Sequence, residues 1–583
     1  MMQIYKVFKN IVFLFTLPLI LSAQKNQNDY DLGTQEITVI KTYIPNLKNV
    51  FKIVQTPELD DSLINKKQKV IYTFKPFEAV STFIPNKATP LKFKRQELIG
   101  FHNSFVSSGI GNKSQKSINF TSMVTMDRFQ SVGLAMRFNS LGEIPGTILE
   151  STEKRLTINL LHQYKERNMR IDSDIRYDSQ SHNLYGLRDI NWKNIPSFRS
   201  SLVNPLQRLN YLSVKSKWQW YESVLSKMNF NTYITSDSFD STEHIFSINA
   251  LFRIPFLGNY LDLTPNFELI NSNFKSDYFT DLQIDFKNAL TQLQIKFLNF
   301  GKKFNFVLGV NGFYLIDEQN QFFVYPKLEV SYKSINSKIV PFIDYEGGYK
   351  LNSYTSFSLE NPYVAPVLNI QPTEVNHNLN IGFNLFPSSG LTLKMSASYI
   401  EYNNFGMFVR LPYDNFNNDI AFRLGNSYRV IYDQVEKKGL SSGFILQLKE
   451  FNKVSLDINY YDYTRKNNEP VWNTPSLTID LEGNFKLGRK IFFNFSTNYF
   501  SSREIKNYLI SSGELSEGGP SQRESIGSVI YANSSLTWKI NSEWDLFYRN
   551  NIYFGDVTSR WAYYQNQPQL NLIGIRYKFD INF

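Results

Sequence analysis

The chain has no cysteine among its 583 residues. A disulfide framework, a thiolate metal site and the lipidated cysteine of a bacterial lipoprotein are therefore all excluded. Charged residues make up only 20 %, below the usual quarter, and 28 glycines are too few for a collagen-like or linker protein. No two histidines stand at ligand spacing on one strand, so we predict neither a metal nor another cofactor; the histidines are His102, His162, His182, His244 and His377.

The formal net charge of +10 does not indicate a nucleic-acid partner. The basic residues are dispersed singly along the chain rather than grouped in an arm, so we predict no nucleic acid binding. No glycine-rich phosphate loop precedes a helix. A hydrolytic triad is recognised only by its geometry, and His162 and His182 are the residues closest to such a role. We predict that the protein is not an enzyme.

Residues 1–23 have the pattern of an export signal. Lys6 and Lys9 precede an apolar stretch, Ile11–Leu21, and Ala23 ends a segment that resembles a cleavage site. This stretch is about half of the ~20 residues that a membrane-spanning helix requires, and no other uncharged apolar run approaches that length. The sequence therefore predicts an exported mature protein without a transmembrane helix.

From residue 98 onward the sequence alternates repeatedly between apolar and polar residues. Residues 378–385 alternate, a Pro-Ser-Ser-Gly turn follows at 387–390, and residues 391–399 alternate again, which predicts a hairpin with one apolar face. Short, tight connections alternate with longer loops along the chain, as periplasmic turns and external loops do in outer-membrane barrels. We predict an all-β membrane protein, with about 22 antiparallel transmembrane strands closed into a barrel over residues 98–583.

The longer connections and some aromatic residues have predicted places in this barrel. Residues 354–372, 404–426 and 500–528 are predicted external loops. Trp538, Trp544, Tyr548 and Tyr563 fit the aromatic girdles at the two membrane interfaces, since amphipathic rings prefer that depth.

The printed sequence stops within an amphipathic strand, GIRYKFDINF, at residues 574–583. We expect this strand to close the barrel against the first strand, with the C-terminus in the periplasm of a Gram-negative cell. A terminal aromatic on such a strand resembles the signal read by the barrel-assembly machinery, which is therefore a predicted partner, as are outer-membrane lipid and lipopolysaccharide. The predicted assembly signal comprises Tyr577, Phe579, Ile581 and Phe583.

Twenty-two strands is the number found in TonB-dependent receptors, whose lumen is plugged. The local sequence also resembles that family as found in Bacteroidota, in VYPKLEVSYK (Val324–Lys333), ENPYVAPVLNIQPTE (Glu360–Glu374) and YRVIYDQVEKKGLSSGFILQL (Tyr428–Leu448). The resemblance covers residues 98–583. It implies a surface receptor or a transport-related component.

The N-terminal part departs from that family. TQEITVIKTY (residues 34–43) resembles a TonB box, and its Glu36, Ile37, Thr38 and Val39 are the candidate partner-binding residues. A plain extended periplasmic segment is the alternative interpretation. Only about 55 residues with five prolines separate this stretch from the first strand, too few for the plug of the family. We therefore predict an extended periplasmic or lumenal segment over residues 24–97 instead of a plug.

Three functions remain open from the sequence. The first is a surface receptor or transport-related component, or a plug-less accessory subunit with the same barrel. The second is a scaffold subunit of an outer-membrane protein insertion or secretion assembly, with a periplasmic or outer-membrane partner bound by strand addition. The third is a passive diffusion channel, which requires an open lumen.

Overall fold

The computed structural model describes residues 102–187, 203–279, 282–301, 303–317, 320–333, 338–413, 420–508 and 521–582. The predicted signal peptide, the segment 24–97 with its TonB-box-like stretch, and Phe583 lie outside the described residues. Among the described residues, no helix combines the length and the apolarity needed to cross a bilayer.

Within the described ranges nearly all regular structure is β-sheet, with one helix, α1 (Tyr354–Glu360), and one 3-10 turn (Ala421–Arg423). The strands are β1 (Ser104–Gly111), β2 (Lys116–Thr125), β3 (Gln130–Leu141), β4 (Glu153–Lys165), β5 (Met169–Asn183), β6 (Leu206–Trp220), β7 (Leu225–Asp237), β8 (Thr242–Phe256), β9 (Asn259–Phe274), β10 (Ile284–Phe300), β11 (Phe304–Ile316), β12 (Gln321–Tyr332), β13 (Ile339–Lys350), β14 (Thr373–Ser388), β15 (Leu391–Arg410), β16 (Tyr428–Lys449), β17 (Asn452–Arg465), β18 (Leu477–Leu487), β19 (Ile491–Phe500), β20 (Arg503–Tyr508), β21 (Ser521–Ile526), β22 (Val529–Lys539), β23 (Trp544–Gly555) and β24 (Gln569–Phe579).

The sheet closes on itself because β24 pairs with β1. The antiparallel register runs from Ser104 opposite Phe579 to Gly111 opposite Leu572. Strand β19 pairs directly with β22. The hairpin β20–β21 therefore belongs to the connection 501–528 and is not part of the ring of wall strands. Twenty-two antiparallel strands therefore form the wall, and no edge of the ring stays unpaired. The predicted fold class, and the predicted pairing of the last strand with the first, are confirmed.

The two ends of the barrel differ in their connections. At one end, called here the short-turn end, the strands are joined by two to six residues, as at 257–258 and 389–390. At the other, the long-loop end, connections range from four residues to 28 and include 351–372 and 411–427. Two details differ from the predicted loops: β15 continues to Arg410, and α1 occupies part of the connection after β13.

The outer face of the wall is apolar and the inner face polar. Ile381 and Met395 are exposed to about half of their area (48 % and 47 %) on the outside. Asn380 and Ser396 alternate with them and line the lumen. Side chains of a strand point to opposite faces with a period of two, so one sequence pattern supplies both a membrane-facing and an aqueous surface.

Exposed aromatic rings mark both ends of this apolar surface. Trp538 and Trp544 lie near the short-turn end, as predicted for a girdle, and Phe322 and Phe554 lie near the long-loop end. Tyr563 differs from its prediction. It lies in the connection after β23 with a φ of 63°, and its hydroxyl donates a 2.6 Å hydrogen bond to the Glu524 carboxylate of the hairpin.

Candidate functional site in the loops at the mouth of the barrel

The long connections converge at the long-loop end on a shared hydrophobic core. We call the described parts of connections 142–152, 184–205, 275–283, 351–372, 411–427 and 556–568 the loop layer. Its core also takes in the adjoining ends of strands, and its buried members are Ile144, Leu149, Leu184, Tyr185, Val203, Leu209, Tyr211, Phe274, Tyr278, Tyr354, Phe357, Tyr363, Val364, Ala365, Val367, Leu368, Ile370, Phe408, Leu411, Tyr413, Ala421, Phe422, Leu424, Tyr428, Val430, Trp561 and Tyr564. Loops this apolar are stable only when they cover one another.

Helix α1 begins on a buried carboxylate of the barrel wall. Glu243, at the start of β8, is fully buried. Its Oε1 accepts hydrogen bonds from the Tyr354 N–H (2.7 Å) and the Ser272 hydroxyl (2.6 Å), and its Oε2 accepts from the Thr355 N–H (2.8 Å) and hydroxyl (2.6 Å). The first N–H groups of a helix have no partner within the helix, and a carboxylate suits their partial positive charge. Glu243 therefore anchors the connection 351–372 to the wall.

The Tyr354 side chain extends the same anchor to a neighbouring strand. Its hydroxyl donates a 2.8 Å hydrogen bond to Asp237 at the end of β7. Complete burial, with the Asp237 carboxylate as the next cause, raises the pKa of Tyr354 well above its usual value. One turn further along α1, the Ser358 hydroxyl accepts a hydrogen bond from the Tyr211 hydroxyl (3.2 Å). Strands β6, β7 and β8 thus all hold α1.

The other end of the same connection is held from the far side of the ring. The Ala365 N–H donates to the Tyr428 carbonyl (2.8 Å), and the Tyr428 N–H donates to the Tyr363 carbonyl (3.0 Å). The Tyr363 ring stacks on the Tyr564 ring, with centroids 3.4 Å apart. Connection 351–372 therefore links β6–β8 with β16 and with the connection before β24.

Direct bonds between loops complete the span. The Asn426 amide donates to the Leu184 carbonyl (2.5 Å), and the Arg410 guanidinium donates to the carbonyls of Gly186 and Gly425 (2.6 Å each). The Tyr564 hydroxyl donates to the Asn426 carbonyl (2.6 Å). Connections 184–205 and 411–427 lie almost opposite each other, with ten strands between them on one side of the 22-strand ring and twelve on the other. The loop layer therefore crosses the mouth.

None of the predicted site residues that the structure describes belongs to this layer. Glu36, Ile37, Thr38 and Val39, the TonB-box-like candidates, lie outside the described residues, as does Phe583. The other three members of the predicted assembly signal lie at the short-turn end. Tyr577 and Phe579 pair with β1, while Ile581 follows the end of β24; its N–H donates to the Asn103 side chain (2.9 Å).

The histidines of the described chain do not form a recognisable reactive site. His182 is buried, its Nε2 lies 3.2 Å from the amide oxygen of Gln207, and its ring meets that of Tyr363 edge-on. His162 lies on β4, opposite Ser173 of β5 and Val132 of β3. Within the described ranges no group of three or more His, Asp or Glu residues is placed to hold a metal ion.

The sequence analysis did not identify the loop layer, although one signal was present. Residues 363–370, YVAPVLNI, are apolar but fall in a predicted external loop. Five of these eight residues are aliphatic and buried in the structure, each at most 7 % exposed: Val364, Ala365, Val367, Leu368 and Ile370. An apolar run inside a long loop indicates that the loop packs on something.

Comparison with known proteins gives matches among solved structures. No family model matches the sequence. No curated protein matches it either. The structure is similar to the FrpB iron transporter from Neisseria meningitidis, with a TM-score of 0.58 and 10 % identity over 82 % of this chain and 81 % of that chain.

Two further solved structures give similar values. The siderophore receptor PirA from Acinetobacter baumannii has a TM-score of 0.57 and 12 % identity over 82 % of this chain and 80 % of that chain. FpvA of P. aeruginosa, solved with a pyoverdine–iron complex, has a TM-score of 0.58 and 11 % identity over 82 % of this chain and 72 % of that chain. The chain has the barrel fold of TonB-dependent receptors. At these identities the likeness concerns the fold.

Proposed function

We propose that the protein is an outer-membrane barrel of the receptor and transport type, with the loop layer as its ligand- or partner-responsive cover. The observation that carries this proposal is that the loop layer crosses the mouth from β6–β8 to β16. The similar structures bear the names of an iron transporter and of siderophore receptors, which supports a surface role for the chain. The long-loop end then faces outward and the C-terminus lies in the periplasm.

A passive diffusion channel is the alternative that this geometry disfavours. A 22-strand ring encloses a wide lumen, and an uncovered one would conduct at rest. Purified protein in a planar bilayer is therefore expected to be silent, whereas deletion of residues 354–370 should produce stepwise conductance. Resting conductance in the wild-type protein would instead support the channel.

The N-terminal segment carries the second part of the proposal. We propose that residues 24–97 form an extended periplasmic or lumenal segment, because the five prolines between 44 and 97 disfavour central strands. Glu36–Val39 then contact a periplasmic partner without driving a folded plug. In vivo crosslinking from positions 36–40, with and without TonB, tests this. A strong TonB adduct, with loss of energy-dependent uptake in Ile37→Pro and Val39→Pro variants, would instead indicate energised import.

A scaffold subunit of an insertion or secretion assembly is the second candidate, supported by the same proline-bearing segment. Copurification in mild detergent followed by mass spectrometry separates the two. A stoichiometric outer-membrane partner lost on deletion of residues 34–43 supports the scaffold, and its absence supports the receptor.

The C-terminal residues are proposed as the assembly signal. Deleting Phe583 or replacing it with Asp should lower the amount of barrel in the outer membrane, because the assembly machinery reads the terminal aromatic. Heat-modifiable mobility on gels measures the folded fraction, and Asn582→Asp is the matched control. A normal level of folded barrel in the Phe583 variants would contradict this role.

A further inference from the structure

One wall of the lumen carries five arginines around a floor of small side chains. Strands β1–β5, β23 and β24 form a concavity of about 720 Å³ there. Its arginines are Arg137, Arg155, Arg176, Arg549 and Arg576, and no carboxylate side chain lines it directly. The described loop layer does not contribute to this lining.

The strand register explains how the arginines come together. Arg576 of β24 lies opposite Ser107 of β1, which lies opposite Asn119 of β2; Arg137 of β3 and Thr157 of β4 continue the row. Neighbours in such a row have Cα atoms roughly 5 Å apart. The row is thus polar throughout, with Arg137 near its centre and short side chains beside it.

The adjacent row toward the short-turn end supplies the floor. It runs from Thr121 through Ala135 and Asn159 to Arg176. Short side chains at the centre leave the longer guanidinium groups standing around them. The Asn159 Oδ1 and the Arg576 Nε are buried and have no hydrogen-bond partner among the described residues.

Only part of this positive charge is neutralised within the described chain. Arg155 and Arg176 both bond to Asp178, at 2.7 and 2.8 Å, and Arg576 lies 3.6 Å from Asp545. Arg137 and Arg549 make no ion pair with any described residue. Three of the five guanidinium groups therefore share two carboxylates, and one of these, Asp545, also pairs with Lys578 at 2.8 Å.

The opposite wall does not share this character. The concavity between β12 and β17 is lined by four carboxylates, those of Glu329, Asp344, Glu346 and Asp457, and by only two lysines, Lys327 and Lys394. The lumen is thus polarised across its width. A generally basic interior would not produce this difference between facing walls.

We propose that the arginine concavity is a binding site for a small anion that carries at least two phosphate or carboxylate groups. Guanidinium groups bind both chemistries through paired, charge-assisted hydrogen bonds, and several of them in one place favour a multivalent ligand. A bound polyanion would also offset the positive charges of Arg137 and Arg549, which make no ion pair with a described residue. The site is a property of the lumen wall and does not depend on the proposed receptor function.

Isothermal titration of the full-length protein in detergent with pyrophosphate, and separately with citrate, tests the site. The double variant Arg137→Gln/Arg549→Gln removes the two cations that lack ion pairs, so no carboxylate loses its partner. The control, Lys394→Gln/Lys437→Gln, removes the same charge from the opposite side, where neither lysine has an ion pair with a described residue. Heat-modifiable mobility confirms that each variant folds.

We expect wild-type protein to bind at least one probe with a dissociation constant below about 1 mM. The arginine variant should weaken binding by at least about tenfold, and the control by less than about twofold. An Arg137→Lys/Arg549→Lys variant should fall between them, because charge remains and the paired geometry is lost. Absence of wild-type binding to both probes, or equal losses in the arginine variant and the control, would overturn the proposal.

Discussion

The strand wall and the loop layer are built by different physical means within one chain. The wall follows a local rule, alternation with a period of two, and its backbone groups are satisfied between neighbouring strands. The layer has little regular structure beyond α1, and it depends on buried rings and on a few charged hydrogen bonds. The layer should therefore open at a lower free energy than the wall, as local units of a protein often do.

Removing the anchor of the layer should give the largest effect. Glu243→Ala leaves four donors without their acceptor, two N–H groups and two hydroxyls. Each buried unsatisfied donor costs roughly 1–3 kcal/mol, so we expect the layer to be destabilised by about 4 kcal/mol or more. Hydrogen exchange of residues 353–358 should accelerate strongly, while the strand amides stay protected.

Two variants make this prediction specific. Glu243→Gln keeps the size and one acceptor oxygen, so its effect should be intermediate. Glu222→Ala changes an exposed carboxylate in the short turn after β6 and should leave exchange unchanged. Equal acceleration in the layer and in the wall would mean that the two do not open separately.

The wall is tested by charge placed on its two faces. Arg in place of Ile381 or Met395 should destabilise the barrel by about 2–4 kcal/mol, because the charge enters the apolar band. Arg in place of Asn380 or Ser396 enters the aqueous lumen and should have a small effect. Denaturant titration of barrel refolded into lipid vesicles measures both. Similar losses on both faces would contradict the assignment of the outer face.

This difference between wall and layer also explains what could be predicted from the sequence. Each strand carries its own pattern, so the hairpin from 378 to 399 was readable from about twenty residues. In the structure this hairpin is formed by β14 (Thr373–Ser388) and β15 (Leu391–Arg410). The pairing of β24 with β1 could be predicted because a membrane barrel cannot leave the edge of its sheet unpaired.

The loop layer and the arginine concavity were not predictable in the same way. Glu243 looks like any polar residue at the start of a strand, and its role depends on a helix more than a hundred residues later. Arg137 and Arg576 stand over four hundred positions apart and meet only through the closing register of β1. Sequence periodicity contains no information on such pairings, which are set by the order and stagger of strands around the ring.

The stacked tyrosines give a smaller effect within the layer. Tyr564→Phe keeps the stack on Tyr363 and removes the hydroxyl that donates to the Asn426 carbonyl. We expect a loss of about 1 kcal/mol in the opening free energy, the usual net value of one buried hydrogen bond. Hydrogen exchange at residues 426–428 reports it, and the exposed Tyr221→Phe is the control. No change at those amides would show that the bond does not contribute.

The smallest effect is expected where the layer is held by an exposed ion pair. The Arg560 guanidinium lies 3.1 Å from the Glu360 carboxylate at the end of α1, with side chains 26 % and 49 % exposed. Water and salt screen such a pair, so its coupling should be about 0.2–1 kcal/mol and should fall at high ionic strength. Arg560 also lies over the Trp561 ring, 5.0 Å from its centroid. The loss measured for Arg560→Gln alone would therefore overstate the energy of the ion pair. A double-mutant cycle of Glu360→Gln and Arg560→Gln isolates the coupling, read from hydrogen exchange of α1 at low and high salt. A coupling as large as the Glu243 effect, or one that salt does not reduce, would mean that the rim of the layer is held as firmly as its buried anchor.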